Sequence, residues 1–595
     1  MFKLSLFFCC CLVLLCAPAF LQAQETSNQG VDYQPRLQGE LSAEVREALI
    51  SAADTFQLQE QLPSSRTQLE YRARQDVHRM SRALQSFGYF DPSIDFELQE
   101  ARSGLEVVFK VQTGDRYVLG PVNLEAAAGE QGAGLELPEP EDLGLEPGSA
   151  FRARQVRQAE RKIREYLRNR GRPFPEASLQ QALVDHEKQQ VIVHYDIQPG
   201  PEADFGQTRI QGLDRVRKSY VQEFIPWSQG NLFQAEELEE LRSKLVATGL
   251  FSMVQVQTAP ELDEEGRAEI VVRLVERSPR TIKAGIGYET DIGPKLRLGW
   301  EHRNLRGKGR SLQTSLSVSP VEASLDAEFS IPRFKRQDQT LKLTSSLARE
   351  DTDAYESSSL GAEARVERQL SRHLSAGAGV AYRMLQVTQE EKDEFGLLSL
   401  PVSLEWDSRD QVLDPRQGIR SNLRLTPYTD TFNQDLQFLK TQLGVSHYQG
   451  LMQEERLILA SRAKLGIISG ASRRSIPADE RFYAGGGGSV RGYGFQKLGP
   501  LEDGDPVGGR SLLELGAELR WRVFGNSGLA AFLEGGQVYE DTYPSSEGQI
   551  RWGAGLGYRY HTGFGPLRLD LAVPLNKRPG VDSDFQIYIS IGQAF

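Results

Sequence analysis

The sequence predicts a soluble α+β region of three similar repeats, followed by an all-β, 16-stranded antiparallel β-barrel that crosses a membrane. Three observations carry that reading. The chain opens on an export leader. The spacing of its apolar residues changes from helical to alternating near Thr281. Between two late alternating runs lies a polar, glycine-rich stretch, residues 481–510, far longer than an ordinary strand connection.

The leader is residues 1–23. Lys3 supplies a short positive region, residues 4–15 an apolar core, and Leu21-Gln22-Ala23 a small residue at the cleavage position. All four cysteines (Cys9, Cys10, Cys11, Cys16) lie inside it, so the exported chain is expected to have no disulfide. The seven histidines are scattered without metal-ligand spacing. The net charge of −12 argues against a nucleic-acid partner. No later apolar run reaches the ~18–20 residues of a helical span, so entry into a membrane must be by a barrel.

The first repeat, residues 32–115, reads as a strand at 33–37, helices at 43–53 and 67–87, and a hairpin at 93–98 and 105–111. Leu69, Val77, Met80 and Leu84 share one face of the longer helix, and Gly88 stands in the C-cap position after it. The second, residues 116–202, starts with a strand near Tyr117. It continues with a helix at 153–169 that turns Val156, Ile163 and Leu167 inward, and a strand at 190–197. The third, residues 203–279, has a strand near Phe205, a helix at 235–247 stopped by Gly249, and strands at 253–258 and 267–274. Each is expected to hold a strand, two helices and two further strands, with one sheet face covered by the helices. The open sheet edge leaves two readings: it accepts a strand from a partner or client, or the repeats are spacers that pack only on one another.

After Thr281 sixteen alternating runs follow, from 282–289 to 584–595, an even number as bacterial outer-membrane barrels usually have. Charged residues such as Glu363, Arg365, Arg383, Glu405, Arg462, Arg520, Arg559 and Arg568 recur within them. In a barrel these must face the lumen or the rims, because a lipid-facing arginine near the midplane costs about 2–4 kcal/mol. In the last run Phe585, Ile587, Ile589, Ile591 and Phe595 fall on one face, with Gln593 the exception; Gln586, Tyr588, Ser590 and Gly592 fall on the other.

The glycine-rich stretch carries the cluster Val490-Arg491-Gly492-Tyr493 after Gly485 to Gly488. It lacks the GxxxxGK[ST] spacing of a phosphate loop, and no helix follows. The expected arrangement is a loop folded into the barrel. Arg491 then needs a carboxylate, and the strands after the loop offer Glu514, Glu518 and Glu534. The expected partners are Glu518 and Glu534, with independent solvated lumen charges as the competing reading.

The same cluster resembles a known family, together with Gly508-Gly509, the GPLRLDLAVPL stretch at 565–575 and the closing run. It is the outer-membrane protein assembly superfamily, with POTRA domains and a bacterial surface antigen barrel, and within it the TamA family of translocation and assembly module subunits. The resemblance covers essentially the whole chain after the leader. It implies POTRA domains at 32–115, 116–202 and 203–279, and a transmembrane barrel at 281–595 in the bacterial outer membrane, with 32–280 in the periplasm. It assigns Val490, Arg491, Gly492 and Tyr493 as the barrel-lumen loop motif, with Glu518 and Glu534 as the acidic partners. Phe585, Ile587, Ile589, Ile591 and Phe595 become a C-terminal insertion signal, from which Gln593 departs. The related BamA proteins carry five POTRA domains. Two-partner secretion translocators carry two after a plug helix, and no such helix is read before residue 32.

The resemblance implies insertion and assembly of outer-membrane proteins such as autotransporters. The expected partners are a TamB-like protein anchored in the inner membrane and spanning the periplasm, unfolded outer-membrane clients, and outer-membrane lipids. The alternatives are a transport pore, or a phospholipid-transport component acting with the same partner. No enzymatic site, metal or cofactor is expected, since no nucleophile, base and orienting group fall together.

Overall fold

A computed structural model describes residues 30–595 apart from 102–103, 127–134, 390, 434, 453–455, 546–547, 564 and 592–595. The leader lies outside the described residues, as do Gly592, Gln593 and Phe595.

Three sheets of three strands precede the barrel. In the first, Tyr33–Gln38 lies parallel to Gly104–Gln112, and Ser93–Ala101 pairs antiparallel on the other side. The second repeats this order with Val118–Ala126, Gln190–Gln198 and Glu176–Asp185. The third sets Ala268–Glu276 between Phe205–Gln211 and Phe251–Leu262. Helical spacing of apolar residues covers each sheet face. Helix Arg66–Ser86 buries Leu69, Ala73, Met80 and Leu84 in one core with Val107, Phe109 and Val111. Helix Ala153–Arg168 buries Val156, Ala159, Ile163 and Leu167 with Val191, Val193, Tyr195 and Ile197.

The second repeat departs from the expected pair of helices. Among its described residues Ala153–Arg168 is the one helix, and residues 140–144 and 147–148 form turns instead. Pro138, Pro140 and Pro147 remove the N–H donors that a helix would use there. Leu143 and Leu145 still fill the core from those turns.

Gly88 ends the long helix of the first repeat and seats the second. Its φ is +92°, and a Cβ on it would lie 3.0 Å from the carbonyl oxygens of both Phe151 and Tyr117. The Tyr117 N–H donates to the Gly88 carbonyl at 2.8 Å. Arg152 forks onto the Glu44 carboxylate beside this joint.

The chain divides into two compact units, and the division passes through the third repeat. The unit that holds the barrel includes residues 208–226 and 239–257. Within it the Arg217 N–H donates to the Gly307 carbonyl at 2.9 Å, and Arg333 donates to the Glu223 carbonyl at 2.9 Å. Gly309 lies so close under Tyr220 that a side chain would not fit.

From Arg280–Glu289 to Gln586–Ile591, sixteen antiparallel strands close into a barrel, the class and count the alternation predicts. Lys392–Ser399 and Val402–Asp407 are two halves of one strand. Both lie against Leu374–Thr388 in a single register, with Ala381 opposite Ser399 and Ala378 opposite Val402. The gap falls at Leu400-Pro401, where proline has no N–H for the ladder. Closure leaves no strand edge inside the hydrocarbon, which a membrane span of this kind requires.

The barrel inverts a soluble core. Leu567, Leu569, Leu571 and Val573 face outward and are 41–50% exposed, while Arg568 and Asp570 between them are buried. Trp521, Phe524, Tyr558 and Tyr560 are exposed and gather by register at one end, as in the aromatic girdle of an outer-membrane barrel. The first strand enters from the repeats, so odd-numbered strands run away from the periplasm. The connection after the eleventh strand, Leu457–Ser469, is the glycine-rich loop and lies at the outer rim.

Candidate functional site

The strands after the loop form a charged inner wall. They are Ser511–Phe524, Ser527–Tyr539, Arg551–Thr562 and Gly565–Pro574. Their inward positions carry four buried acids, Glu514, Glu518, Glu534 and Asp570, against three buried arginines, Arg520, Arg559 and Arg568. A carboxylate removed from water needs a partner. Arg520 Nε donates to Glu518 at 2.8 Å, and Arg559 reaches both Asp570 and Glu518. Arg462, on the preceding strand, reaches Glu534 at 3.2 Å. The four strands remain one cation short, and the loop supplies it.

Arg491 is completely buried. Its Nε donates to Glu534 Oε2 at 3.0 Å, and one terminal nitrogen to Asp570 Oδ2 at 2.7 Å. The other terminal nitrogen donates to Glu518 Oε2 and Glu534 Oε1, both at 2.8 Å. Its backbone N–H adds a bond to Glu534 Oε2 at 2.9 Å. The guanidinium carbon lies 3.4 Å from the centre of the Phe532 ring, a cation–π contact inside the cluster. All three guanidinium nitrogens are used, a geometry that a planar fork satisfies and an ammonium does not.

Glycines bring the backbone close enough. Gly485 and Gly486 have φ of +104° and +95°, and the Gly486 N–H donates to the Tyr493 carbonyl at 3.0 Å. Gly492 has φ of +100°, and a Cβ there would come within 2.9 Å of the Val573 backbone. On the wall, Gly553 faces the Arg491 carbonyl with no space for a side chain.

The other motif residues are placed by the same turn. Val490 is buried with Phe438, Ile468, Phe482, Leu512 and Val538, so the loop shares an apolar core with the wall. The Gly492 N–H donates to the Tyr588 hydroxyl at 3.1 Å. The Tyr493 hydroxyl donates to the Trp552 carbonyl at 3.0 Å and accepts from the Asn576 N–H at 3.3 Å. Arg491 thus meets Glu518 and Glu534, whereas Glu514 accepts the Ser489 hydroxyl at 2.6 Å. Sequence reasoning missed Asp570, Phe532 and Tyr588. The alternation around Arg568 and Asp570 was the available signal, since it puts both on the polar face.

It also missed a second fastening of the same loop. The turn Ala478–Glu480 precedes the glycines. Glu480 accepts Lys440 Nζ at 2.9 Å and also pairs with Arg383, and Asp479 pairs with Arg383 at 3.0 Å. Arg383 and Lys440 stand on Leu374–Thr388 and Gln437–Gly450.

Among the described residues the first and last strands pair over a short length. The described ladder joins Tyr288 to Ile589 and Glu289 to Tyr588. The Thr290 N–H adds a bond to the Ile587 carbonyl at 3.2 Å. The neighbouring junctions extend over six pairs, between the last two strands, and ten, between the first two. The loop touches both sides of this seam, through Tyr588 and through the Gly487 N–H, which donates to Glu289 at 3.3 Å. Phe585, Ile589 and Ile591 are exposed on the outward face and Ile587 is half-buried, while Gln586 and Tyr588 are buried inward. Phe595 falls outside the described residues.

A closed barrel with an apolar exterior, a charged lumen that receives its own loop, and α+β repeats on the periplasmic side define an outer-membrane barrel protein with a periplasmic arm. Residues 304–595 match the Omp85 superfamily domain, and residues 141–200 match the POTRA family, described as a surface antigen variable number repeat. The barrel region is thus similar to the Omp85 superfamily domain from the second strand to the end of the sequence. It is 23% identical over 529 residues to the outer membrane protein assembly factor BamA of Nitratidesulfovibrio vulgaris, which covers 85% of this chain and 66% of that protein. It is 23% identical over 589 residues to BamA of Neisseria meningitidis serogroup B, covering 86% and 71%. The fold is similar to that of Haemophilus ducreyi BamA lacking POTRA domains 1–3, with a TM-score of 0.66 at 17% identity, over 80% of this chain and 100% of that one. The chain spans about two thirds of the length of the curated relatives named here. Those relatives are BamA proteins, and the likeness does not single out the TamA family.

Proposed function

We propose that this protein inserts and assembles other outer-membrane proteins, autotransporters among them, as the outer-membrane subunit of a translocation and assembly module. The observation that carries the reading is the seam. The described ladder joins the first and last strands at Tyr288 and Glu289 alone. Gly285 and Gly287 lie in the first strand beyond these described pairs, where glycine weakens pairing. A seam of this kind opens sideways at small cost, and each exposed edge then templates a client strand by β-augmentation.

The match of residues 304–595 to the Omp85 superfamily domain and the BamA names of the relatives support the same class of activity. Tyr288→Cys with Ile589→Cys places a disulfide across the seam. The crosslinked protein is expected to lose client assembly and to regain it on reduction. Assembly that proceeds at the uncrosslinked rate overturns the proposal.

The module assignment adds a periplasmic partner. We infer that a TamB-like, inner-membrane-anchored protein docks on residues 32–280. The open edges of the three small sheets support that reading. Purification of the envelope complex with and without residues 32–280 tests it. The partner is expected only with the full chain, and recovery of a different set of envelope proteins with the full chain would reassign the module.

A further inference from the structure

The lumen holds a second polar site beside the docked loop. Strands between residues 356 and 469 line a cavity of about 560 Å³ on the inner wall, with Gly488 of the loop at its margin. Small inward residues create the space. Gly377, Ser403, Gly444 and Ser446 stand where neighbouring rows carry long side chains.

The cavity is rich in cations although the chain as a whole carries a net charge of −12. Most of its charges are already paired. Arg365 meets Glu367 at 2.8 Å, Arg420 meets Glu405 at 2.9 Å, and Arg462 meets Glu534 at 3.2 Å. Glu514 accepts the Ser489 hydroxyl and stands opposite Lys464 in the register of the adjoining strand, without an ion pair to it among the described residues. Two cations are left, Arg424 and Lys464. Both are exposed to the lumen, and neither makes a side-chain hydrogen bond or ion pair among the described residues.

Register sets their separation. Asn422, Gly444 and Lys464 stand opposite one another on three consecutive strands, and Arg424 is the next inward residue after Asn422. Two strand spacings and one two-residue step put the two backbones roughly 12 Å apart, with glycine between them. Long side chains from the two positions have the reach to meet across this floor, where the Asn422 amide already lies over Gly444.

We propose that this cavity binds a phosphate-bearing anion between Arg424 and Lys464. The group is a phosphate or diphosphate carried by a small solute or by a lipid headgroup. The guanidinium fork suits bidentate contact with phosphate oxygens, and the ammonium adds a point charge from the second side. The volume lies in the roughly 300–1,000 Å³ range of small-ligand sites, which favours a compact group over an extended acidic peptide.

The test is calorimetric titration of the detergent-solubilised full chain with inorganic pyrophosphate. Saturable binding is expected, weaker by roughly tenfold or more in Arg424→Ser/Lys464→Ser, the scale of losing one charge-assisted bond. Lys283→Ser removes a different lumen cation, one paired with Glu301 at 3.4 Å, and is expected to leave binding unchanged. Competition by short-chain phosphatidic acid identifies a lipid headgroup as the source; binding that this lipid does not disturb identifies a water-soluble phosphate. Absence of saturable binding, equal binding by the double variant, or binding of poly-glutamate in preference to pyrophosphate overturns the proposal.

Discussion

The loop is fastened to two sectors of the barrel wall by ion pairs of opposite sense. At one, the loop supplies the cation and the wall the acids: Arg491, Glu518, Glu534 and Asp570 are all fully buried. At the other, the loop supplies the acids and the wall the cations; the acids are buried, and the cations are partly open to the lumen. The side chains of Arg383 and Lys440 there are 29% and 14% exposed. The difference teaches that charge complementarity alone does not set the strength of a lock. A dry cluster must be complete, because a missing member strands charges away from solvent. A wet cluster tolerates loss, because water takes the vacant place.

Arg491→Ala should therefore have the largest effect. It leaves three carboxylates with too few partners and should cost about 3–5 kcal/mol of loop docking and barrel stability. The measurements are denaturant unfolding of the purified barrel and protease cleavage within residues 481–510. Arg491→Lys should fall between, since one ammonium cannot serve three acids in the same plane. The charge swap Arg491→Glu with Glu518→Arg should recover only part of the loss, because the new glutamate would still face Glu534 and Asp570. Full recovery would show that the Glu518 contact alone matters.

Next in size are the glycines that admit the loop. Gly492→Ala forces a side chain at φ +100° against the Val573 backbone and should cost about 1–3 kcal/mol. Gly488→Ala meets open space and should leave the unfolding midpoint unchanged. Equal effects of the two would mean that the turn is not held as described.

The smallest effect belongs to the wet anchor. Glu480→Gln should cost about 1–2 kcal/mol, since Asp479 still holds Arg383 and the residue 480 carbonyl still accepts from Lys440. Raising the salt concentration should weaken this anchor in the wild type and leave the buried one nearly untouched. Salt sensitivity of the Arg491 anchor would remove the distinction between them.

How much of this was legible depended on the distance over which the pattern acts. The strands were readable because alternation is local: Leu567, Leu569 and Leu571 against Arg568 and Asp570 need only a few consecutive residues. The α+β repeats were readable for the same reason, apart from the turns at 140–148, where the prolines overruled an expected helix. Arg491 with Glu518 and Glu534 followed from one unpaired cation and nearby acids on alternating strands. Asp570 did not, because its place beside Arg491 depends on the shear of the closed barrel. Arg383 and Lys440 were hidden for a related reason. Nothing local relates them to Asp479 and Glu480 until the loop is folded inward.

Tyr588 gives the loop a place in time as well as in space. The partners of Arg491 and Gly492 include Asp570 and Tyr588, contributed by the final strands of the chain. During biogenesis the socket for the loop is unfinished until those last segments have joined the wall. A docked loop is therefore a record of completion: a barrel that stalls before its final strands has nothing for Arg491 to grip.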